Sequence, residues 1–437
     1  MPRLFENAAV CSPLTLASEE GRRVLQAGGN VVDAAVATNL MLAVAYPHMC
    51  GVGGDLFAIV ARDGEVAGLN SSGRLPEAAQ LPSDGRVPER GIGAATVPGA
   101  VAGWRALIER FGSRSLEELA EPAARLAEEG YRPAPGLERA IERLRDLLGR
   151  DPGTTEVFLT RSDGRIRMPD LSRTLRHLDG FYEGVVAHNA PAPCTPDDFA
   201  SHRAEWVEPM RGHFAGVEVC EMPPNSRGHL VLAALARLES LAGLTPDDAE
   251  WHGRLIRACV AAGLAGDTIH LVVADANGDA VSLTQSLYMG FGSGVMVPDT
   301  GVILHNRGAY LSPDEYRGGA RPTHTLSPAL ALRDGAPTIV FGTMGGEAQV
   351  QIHVQLLARM LVGGDPPDSA VAAPRWVLAE GAVLVDPELP DLRGVTDLPV
   401  RPLPSPDIAG HAHAIQFHPD GLLAGSDPRA DGVPVGY

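Results

Sequence analysis

The chain has 437 residues, a net charge of −18 and 45% hydrophobic residues, which is typical of a globular protein large enough for more than one core. Its sequence contains no lysine, so every fixed side-chain cation is arginine, and no basic cluster stands out. This acidic balance argues against a nucleic-acid partner, and five scattered cysteines without a C-x-x-C pair argue against a disulfide framework or a zinc site.

The N-terminal part predicts two helices and a hairpin. Residues 18–46 form the two helical segments, with Ser18 as the cap of the first and Asn30 as the cap of the second. The second segment is apolar on most faces, so we expect it to be buried. Two strands are expected around the turn Asp63-Gly64.

The rest of the chain continues this alternation of hairpins and helices. We expect helices after Pro98-Gly99 and Ser115, and a strand, a proline-rich turn and a helix over 217–241. Further elements are predicted as a hairpin over 266–286, strands within 301–342, a helix over 348–361, a loop over 387–408, and one more hairpin followed by an irregular tail over 413–437. Strands in hairpins and helices in clusters favour an α+β fold over repeated βαβ units.

The stretch GDTIHLVVADANGDAVSLTQS, residues 266–286, places a hydroxyl at the start of its first strand. A three-residue loop ending at Gly278 puts Thr268 opposite Ser286, so that two hydroxyls lie side by side. A two-residue loop instead puts Ser286 opposite Ile269, on the other face. The turn type therefore decides whether the two hydroxyls meet.

Gly345-Gly346 lies between an apolar strand and a helix. Paired glycines at a helix N-terminus leave backbone N–H groups unshielded, which suits an anion or an oxyanion. The alternative is a tight structural connection without chemistry.

Nine motifs occur in order along the chain, and together they resemble the γ-glutamyltransferase family of N-terminal-nucleophile (Ntn) hydrolases over about residues 8–437. They are AGGNVVDAAVATNLMLAVAYPHMCGVGGD, TVPGAVAGW, HLDGFYEGVVA, CTPDDFASHRAEWVEP, PPNSRG, GDTIHLVVADANGDAVSL, FGSGV, GTMGGE and SDPRADGVPVGY. The resemblance implies a four-layer αββα sandwich. It also implies one catalytic unit made of two segments, residues 1–267 and 268–437.

The resemblance answers why a hydroxyl begins a strand. It implies that the precursor cuts itself between Asp267 and Thr268, when the Thr268 hydroxyl attacks the Asp267 carbonyl and water releases the resulting ester. The freed α-amine, whose pKa lies near 8, then acts as the base for its own hydroxyl. By the same resemblance, Ser286 supports the nucleophile, Gly345-Gly346 form the oxyanion hole and Arg74 binds the substrate's α-carboxylate.

Several positions depart from typical transferases. They are Ile269 after the nucleophile, Tyr288 two residues beyond the second hydroxyl, Arg307 and Tyr310 in place of the groups that hold an α-amine, and His324-Thr325 in place of paired serines. Compared with typical transferases, the pocket lacks the carboxylate that binds the substrate's α-amine and has a guanidinium in addition. It should therefore prefer a substrate with an additional anionic group over a zwitterionic amino acid.

These features resemble the lidless, oxamate amidohydrolase-like branch, in which water takes the acyl group. The sequence therefore predicts a self-processing amidohydrolase that acts on a small carboxylate-bearing substrate through an acyl-threonine. Two alternatives stay open: γ-glutamyl transfer or hydrolysis on glutathione-like compounds, and an unprocessed homologue that only binds ligands.

Some candidates keep two interpretations. His270 either orients the site or packs in the core, and Tyr288 either lines the pocket or fills the core near Phe291. The pair His411 and His413 has no acidic partner at useful spacing, so we expect neither a metal nor a cofactor.

The remaining expectations concern surroundings and assembly. The partner should be a small-molecule amide or γ-glutamyl substrate. The segment VVDAAVATNLMLAVAY is too short and polar to span a membrane, and no secretory signal is visible, which predicts a cytoplasmic enzyme. We also consider a homodimer of processed heterodimers.

Overall fold

The computed structural model describes residues 3–262 and 269–437. The predicted cleavage pair, Asp267 and Thr268, lies outside the described residues.

The described strands are, in chain order, β1 Arg3–Phe5, β2 Ala8–Cys11, β3 Asp55–Arg62, β4 Glu65–Ser71, β5 Glu205–Val207, β6 Met210–Phe214, β7 Val217–Glu221, β8 Ile269–Asp275, β9 Ala280–Ser286, β10 Met296–Val297, β11 Val302–Ile303, β12 Ala329–Arg333, β13 Ala336–Met344, β14 Trp376–Ala379, β15 Ala382–Val385, β16 Val400–Pro402, β17 His411–His418, β18 Gly421–Ser426 and β19 Val435–Gly436. The described α-helices are α1 Thr15–Gln26, α2 Val31–Ala45, α3 Ala100–Phe111, α4 Leu116–Glu129, α5 Pro135–Arg143, α6 Arg145–Leu148, α7 Pro152–Thr154, α8 Pro169–Leu175, α9 Val185–Asn189, α10 Pro196–Ser201, α11 Gly228–Arg237, α12 Ala249–Val260, α13 Gln349–Ala358 and α14 Pro367–Ala372.

Two seven-stranded antiparallel sheets form the centre of the molecule. Their strand orders are β19-β2-β8-β9-β3-β4-β5 and β1-β18-β17-β13-β12-β7-β6. The described strands also form a β10-β11 pair and a small sheet β14-β15-β16, whose β15 and β16 run parallel.

Three apolar cores show how these layers stack. Leu271 and Val273 of β8 pack with α1 to α4, whereas their neighbours Val272 and Ala274 face the second sheet, because successive side chains of a strand point to opposite faces. On the far side, the second sheet packs against α11 to α14. Helices, sheet, sheet and helices therefore follow one another, which is the predicted four-layer αββα sandwich.

Helix starts were predicted with mixed success. The Asn30 side chain accepts hydrogen bonds from Val32 and Asp33, and all fifteen residues of α2 are buried, as predicted. The Ser18 cap is wrong, because α1 already begins at Thr15 and the Ser18 N–H bonds to the Leu14 carbonyl. The Ser18 hydroxyl is buried instead against the Ser12 hydroxyl, 2.7 Å away.

Short edge strands were not predicted. The chain ends as β19, which pairs with β2, and the predicted loop over 387–408 contains β16. Such strands have two to four residues, too few to show a pattern of alternation, and their formation depends on a partner strand distant in sequence.

The register of the central hairpin resolves the two turn alternatives. The Asp275 N–H donates to the Asp279 carbonyl at 3.1 Å, and Gly278 has a φ of 93°. Ile269 consequently lies opposite Gln285, not opposite Ser286. The three-residue loop is therefore confirmed over the described part of β8.

Candidate active site

Ser286 ends β9 directly opposite Asp55, the first residue of β3. The Ser286 hydroxyl is buried and accepts a hydrogen bond from the Tyr288 N–H at 2.7 Å. Tyr288 has a φ of 74°, a conformation that side-chain-bearing residues rarely adopt. Ser286 therefore holds the sharp exit from β9 that presents the Tyr288 ring.

Asp55 collects hydrogen bonds from three segments of the chain. Its Oδ1 accepts from the N–H groups of Gly73 and Gly99, at 3.0 and 3.2 Å, and its Oδ2 accepts from His324 Nε2 at 2.8 Å. Burial raises the pKa of the Asp55 carboxyl, but the rings of His305 and His324 lower it by more, to about 2. A fully buried carboxylate thus joins the strand edge to the loops around it.

His324 is neutral near pH 7. Burial and the Arg307 charge lower its pKa to about 3, although the bond to Asp55 works in the opposite direction. Its protonated nitrogen is Nε2, since that atom donates to the carboxylate. Its Nδ1 is buried without a hydrogen-bond partner among the described residues.

The Arg307 guanidinium lies between two aromatic rings, 4.6 Å from the centroid of Tyr288 and 4.3 Å from that of Tyr310. Its Nε donates to the Thr323 carbonyl at 2.9 Å and its Nη1 to the Thr325 hydroxyl at 3.3 Å. The side chain is 1% exposed. Cation–π contacts and fixed acceptors therefore hold a positive charge in one orientation.

The structure brings most of the predicted substrate-binding residues together. Arg307 contacts Tyr288, Tyr310 and Thr325, and His324 is the neighbour of Thr325 in the chain. We call these five residues the Arg307 cluster. They come from residues 288–325, which wrap around the end of β9 where Ser286 lies.

Arg74 lies in a loop connected to this cluster. Its guanidinium is exposed and donates to the Gly319 carbonyl at 3.1 Å, and its own carbonyl accepts from the Val97 N–H. The preceding Gly73 N–H bonds to Asp55. The loop is thus anchored to Asp55, which in turn bonds to His324 of the cluster, while the Arg74 side chain reaches solvent.

A cleft of about 500 Å³ opens beside Gly345 and Tyr288. Gly345, at φ 140°, directly follows β13, and Gly346, at φ 55°, begins the turn that leads into α13. A Cβ at Gly345 would lie 3.0 Å from Ile352 and 3.1 Å from Gly410, so this position requires glycine. Tyr288 therefore lines a cleft, as one of its two interpretations predicted, and is half-buried.

The histidine candidates lie elsewhere. His270 is buried between the sheets, its Nε2 2.9 Å from the Ser282 hydroxyl and its ring 5.8 Å from that of His413. Burial, with the neighbouring His413, lowers the pKa of His270 well below 6.5. The core interpretation of His270 is therefore confirmed, and His411 and His413 join no group of three or more metal-ligating residues in the described ranges.

Sequence reasoning missed two polar residues of this site. Asp55 stands in the motif GVGGD, and Arg227, in PPNSRG, donates from Nη1 to the Tyr310 hydroxyl at 2.9 Å. Both motifs served only to show the resemblance. The available signal for Asp55 was its position: a carboxylate that directly follows a glycine-rich segment and begins an apolar strand. A charge placed there becomes buried, and a buried charge needs hydrogen-bond partners, which marks it as a candidate site residue.

A family model for γ-glutamyltranspeptidase matches residues 17–262 and 249–437, nearly the whole chain. The chain belongs to the γ-glutamyltranspeptidase family. Two similar proteins agree with this assignment. The glutathione hydrolase-like YwrD proenzyme of Bacillus subtilis (strain 168) is 33% identical, over 98% of each chain. The oxamate amidohydrolase proenzyme of Klebsiella pneumoniae is 31% identical, also over 98% of each chain.

A similar solved structure agrees with the fold. Cephalosporin acylase from Bacillus halodurans superposes with a TM-score of 0.91 at 30% identity, covering 100% of this chain and 97% of its own. This member of the family is accordingly an amide-hydrolysing Ntn enzyme of α+β architecture, on the predicted oxamate amidohydrolase-like branch. Within the described ranges, no helix is long and apolar enough to cross a bilayer.

Proposed function

We propose that the enzyme hydrolyses the amide of a small carboxylate-bearing substrate through an acyl-Thr268 intermediate, after cutting itself between Asp267 and Thr268. The two products of that cut are residues 1–267 and 268–437, which stay together as one catalytic unit. The observation that carries the proposal is the Arg307 cluster, which holds a buried positive charge beside the end of β9.

Maturation and turnover use the same hydroxyl in this proposal. In maturation, the Thr268 hydroxyl adds to the Asp267 carbonyl, the peptide nitrogen leaves as the new α-amine, and water hydrolyses the ester. In turnover, that amine takes the hydroxyl proton, the oxygen adds to the substrate carbonyl, and the leaving amine departs with the proton. Water then releases the acyl group as a carboxylate.

The described residues have supporting roles in this scheme. The buried Ser286 hydroxyl stabilises the nucleophile's end of the hairpin, since it already holds the Tyr288 N–H. The backbone N–H groups of Gly345 and Gly346 stabilise the oxyanion, because no side chain shields them and Gly345 borders the cleft.

Recognition of the substrate carboxylate rests on charge in the Arg307 cluster. Arg307 carries a permanent positive charge. His324 is neutral near pH 7, so Arg307 is the cation of this cluster that attracts the substrate carboxylate. Tyr288, Tyr310 and Thr325 orient the guanidinium, and exposed Arg74 receives the anion at the entrance.

A second candidate is γ-glutamyl hydrolysis or transfer on glutathione-like compounds. The family model and the YwrD-like relative favour it. A γ-glutamyl group brings an ammonium, which the Arg307 charge repels by on the order of 1 kcal/mol at 4 Å in water. We therefore place this candidate second, and a homologue that only binds ligands third.

The first experiment tests maturation. Thr268→Ala should abolish both self-cleavage and turnover, whereas Ser286→Ala should slow both without abolishing either. Denaturing mass spectrometry of each purified variant measures the cut, and an amide-hydrolysis assay measures turnover. A Thr268→Ala protein that is still cut, or still turns over, would refute the central assignment.

The second experiment tests the substrate class by comparing kcat/KM for γ-glutamyl-p-nitroanilide with kcat/KM for dicarboxylate monoamides, including oxamate. We expect the monoamides to be better substrates and Arg307→Gln to reduce that preference about tenfold. Arg317→Gln, an exposed arginine on the same segment, is the matched control. Efficient γ-glutamyl transfer to a dipeptide, with every monoamide inert, would favour the second candidate.

Two further proposals concern context. We place the enzyme in the cytoplasm, which the five free, buried cysteines support. We also propose a homodimer of processed heterodimers, which rests on the family resemblance. Cell fractionation and native mass spectrometry measure these two properties.

A further inference from the structure

The cleft beside Gly345 has a cationic wall that the proposed chemistry does not use. Arg139 and Arg143 line it, one helical turn apart on α5, so their side chains share one face of the helix. Within residues 3–262 and 269–437, neither guanidinium makes an ion pair or a hydrogen bond. Two such arginines in one cleft are notable in a chain with 54 acidic and 36 basic residues.

Buried polar atoms face the same space without partners. His48 and His411 line the cleft and are each 5% exposed. The Nδ1 atoms of His48 and His411 find no hydrogen-bond partner among the described residues, and His411 Nε2 is within ion-pair distance of Asp407 but beyond hydrogen-bond distance. Buried polar groups in this state are costly unless a ligand or water pairs with them, so they indicate a binding site.

The net charge of this wall is positive. Among the lining residues that the structure describes, Asp407 is the acidic one, with its Oδ1 3.7 Å from His411 Nε2. Burial lowers the pKa of His48 to about 3, and the Arg143 charge acts in the same direction, so this ring is neutral. Two guanidinium groups against one carboxylate leave a surplus suited to a single anion.

Much of the remaining lining is apolar. Met49, Val377, Leu378 and Ile408 contribute hydrocarbon surface to the cleft. The complementary ligand therefore has an aromatic or aliphatic body and one anionic group, and such a ligand removes apolar surface from water while it pairs with arginine.

Tyr288 lies at the border between this cleft and the Arg307 cluster. It lines the cleft, and its ring also carries the Arg307 guanidinium at 4.6 Å. When the carbonyl of the substrate amide is held at Gly345, its acyl part extends toward Arg307. The amine part, which is the leaving group, then lies in the cleft. We infer that the cleft is the leaving-group site and that it selects apolar amines carrying a carboxylate, read by Arg139 and Arg143. This inference rests on the proposed function.

Binding of the free amine tests the site without requiring turnover. Isothermal titration of the purified enzyme with 4-aminobenzoate and with aniline should show at least tenfold tighter binding of 4-aminobenzoate. The double variant Arg139→Gln/Arg143→Gln should remove that difference, and Asp407→Asn should increase it. Arg150→Gln, which removes an exposed arginine outside this lining, should leave it unchanged.

A kinetic comparison then assigns the site to the leaving group. With one dicarboxylate acyl group, the 4-carboxyanilide should have a kcat/KM about tenfold above that of the plain anilide, and the double variant should lose this preference. Equal binding of 4-aminobenzoate and aniline, or a preference that survives in the double variant, overturns the inference. Arginine-dependent binding with no hydrolysis of any amide instead overturns the proposed function and leaves the anion site standing.

Discussion

At the scale of single residues, Asp55 determines how the site is assembled. It faces Ser286 across the strand pair, and it accepts hydrogen bonds from the loop before Arg74 and from His324. One buried carboxylate thereby fixes the relative positions of the second hydroxyl and of two predicted substrate-binding residues.

Asp55→Asn should destabilise the protein by about 3 kcal/mol. The amide keeps the shape of the carboxyl group, but its NH₂ group is a donor and faces either His324 or a backbone N–H, which are donors too. Turnover should fall with it, since the positions of Ser286 and His324 relax. Urea denaturation followed by circular dichroism measures the loss.

The matched control is Asp63→Asn, the same change at an exposed hairpin turn where φ is 52°. It should alter the free energy of unfolding by less than about 0.5 kcal/mol. An Asp55→Asn variant as stable as this control would show that the carboxylate does not hold the site together.

At the scale of elements, the contact between the two sheets depends on one small residue. Gly342 of β13 lies against the ring of His270 on β8, and a Cβ there would be 2.5 Å from His270 Nε2. The ring also bonds to Ser282 of β9 at 2.9 Å, so it cannot turn away without losing that bond. The strand that follows Thr268 in sequence is therefore positioned by packing between the sheets.

Gly342→Ala should cost about 2 kcal/mol of stability, the typical penalty of an overpacked core. It should also slow self-cleavage, because β8 must shift to admit the methyl group. Gly180→Ala, where no atom lies within 4 Å of the added Cβ, provides the comparison. Thermal melts and a time course of cleavage by gel report both effects, and equal melting temperatures for the two variants would contradict the prediction.

At the scale of the whole molecule, three stacked cores bury several histidines in the neutral state. Burial is the main cause that lowers their pKa, to about 3 for His48, His324 and His413 and to about 4 for His202 and His252. Their unfolded value is near 6.5. As the pH falls below 6.5, the unfolded state therefore takes up protons that the folded state refuses.

The protein should accordingly lose stability between pH 6.5 and about 3, by about 2 kcal/mol per buried histidine at pH 5. Asp55, whose pKa lies near 2, contributes only below about pH 4. Urea midpoints at pH 7.5 and 5.0 measure the loss. His413→Asn should reduce the difference between the two midpoints, whereas His177→Asn, at an exposed histidine, should leave it unchanged. Identical midpoints of the unsubstituted protein at both pH values would refute the explanation.

The sequence alone determined the elements whose signals are local. Asn30 caps α2 with its own side chain, and Asp63-Gly64 forms the turn between β3 and β4. The ordered motifs then indicated the family and, through it, the layered fold. The clustering of Arg307 with Tyr288 and Tyr310 was predictable in the same way, because these residues match corresponding positions in neighbouring motifs.

Only the tertiary structure decided which distant residues share one environment. Asp55 meets His324 across 269 positions of sequence, and Arg139 of α5 lines the same cleft as Gly345. Ser18 has the chemistry of a cap but lies inside α1, where packing against Ser12 prevails. Caps and turns depend on hydrogen bonds between near neighbours, whereas buried charges and clefts depend on how separate layers pack, which no local pattern encodes.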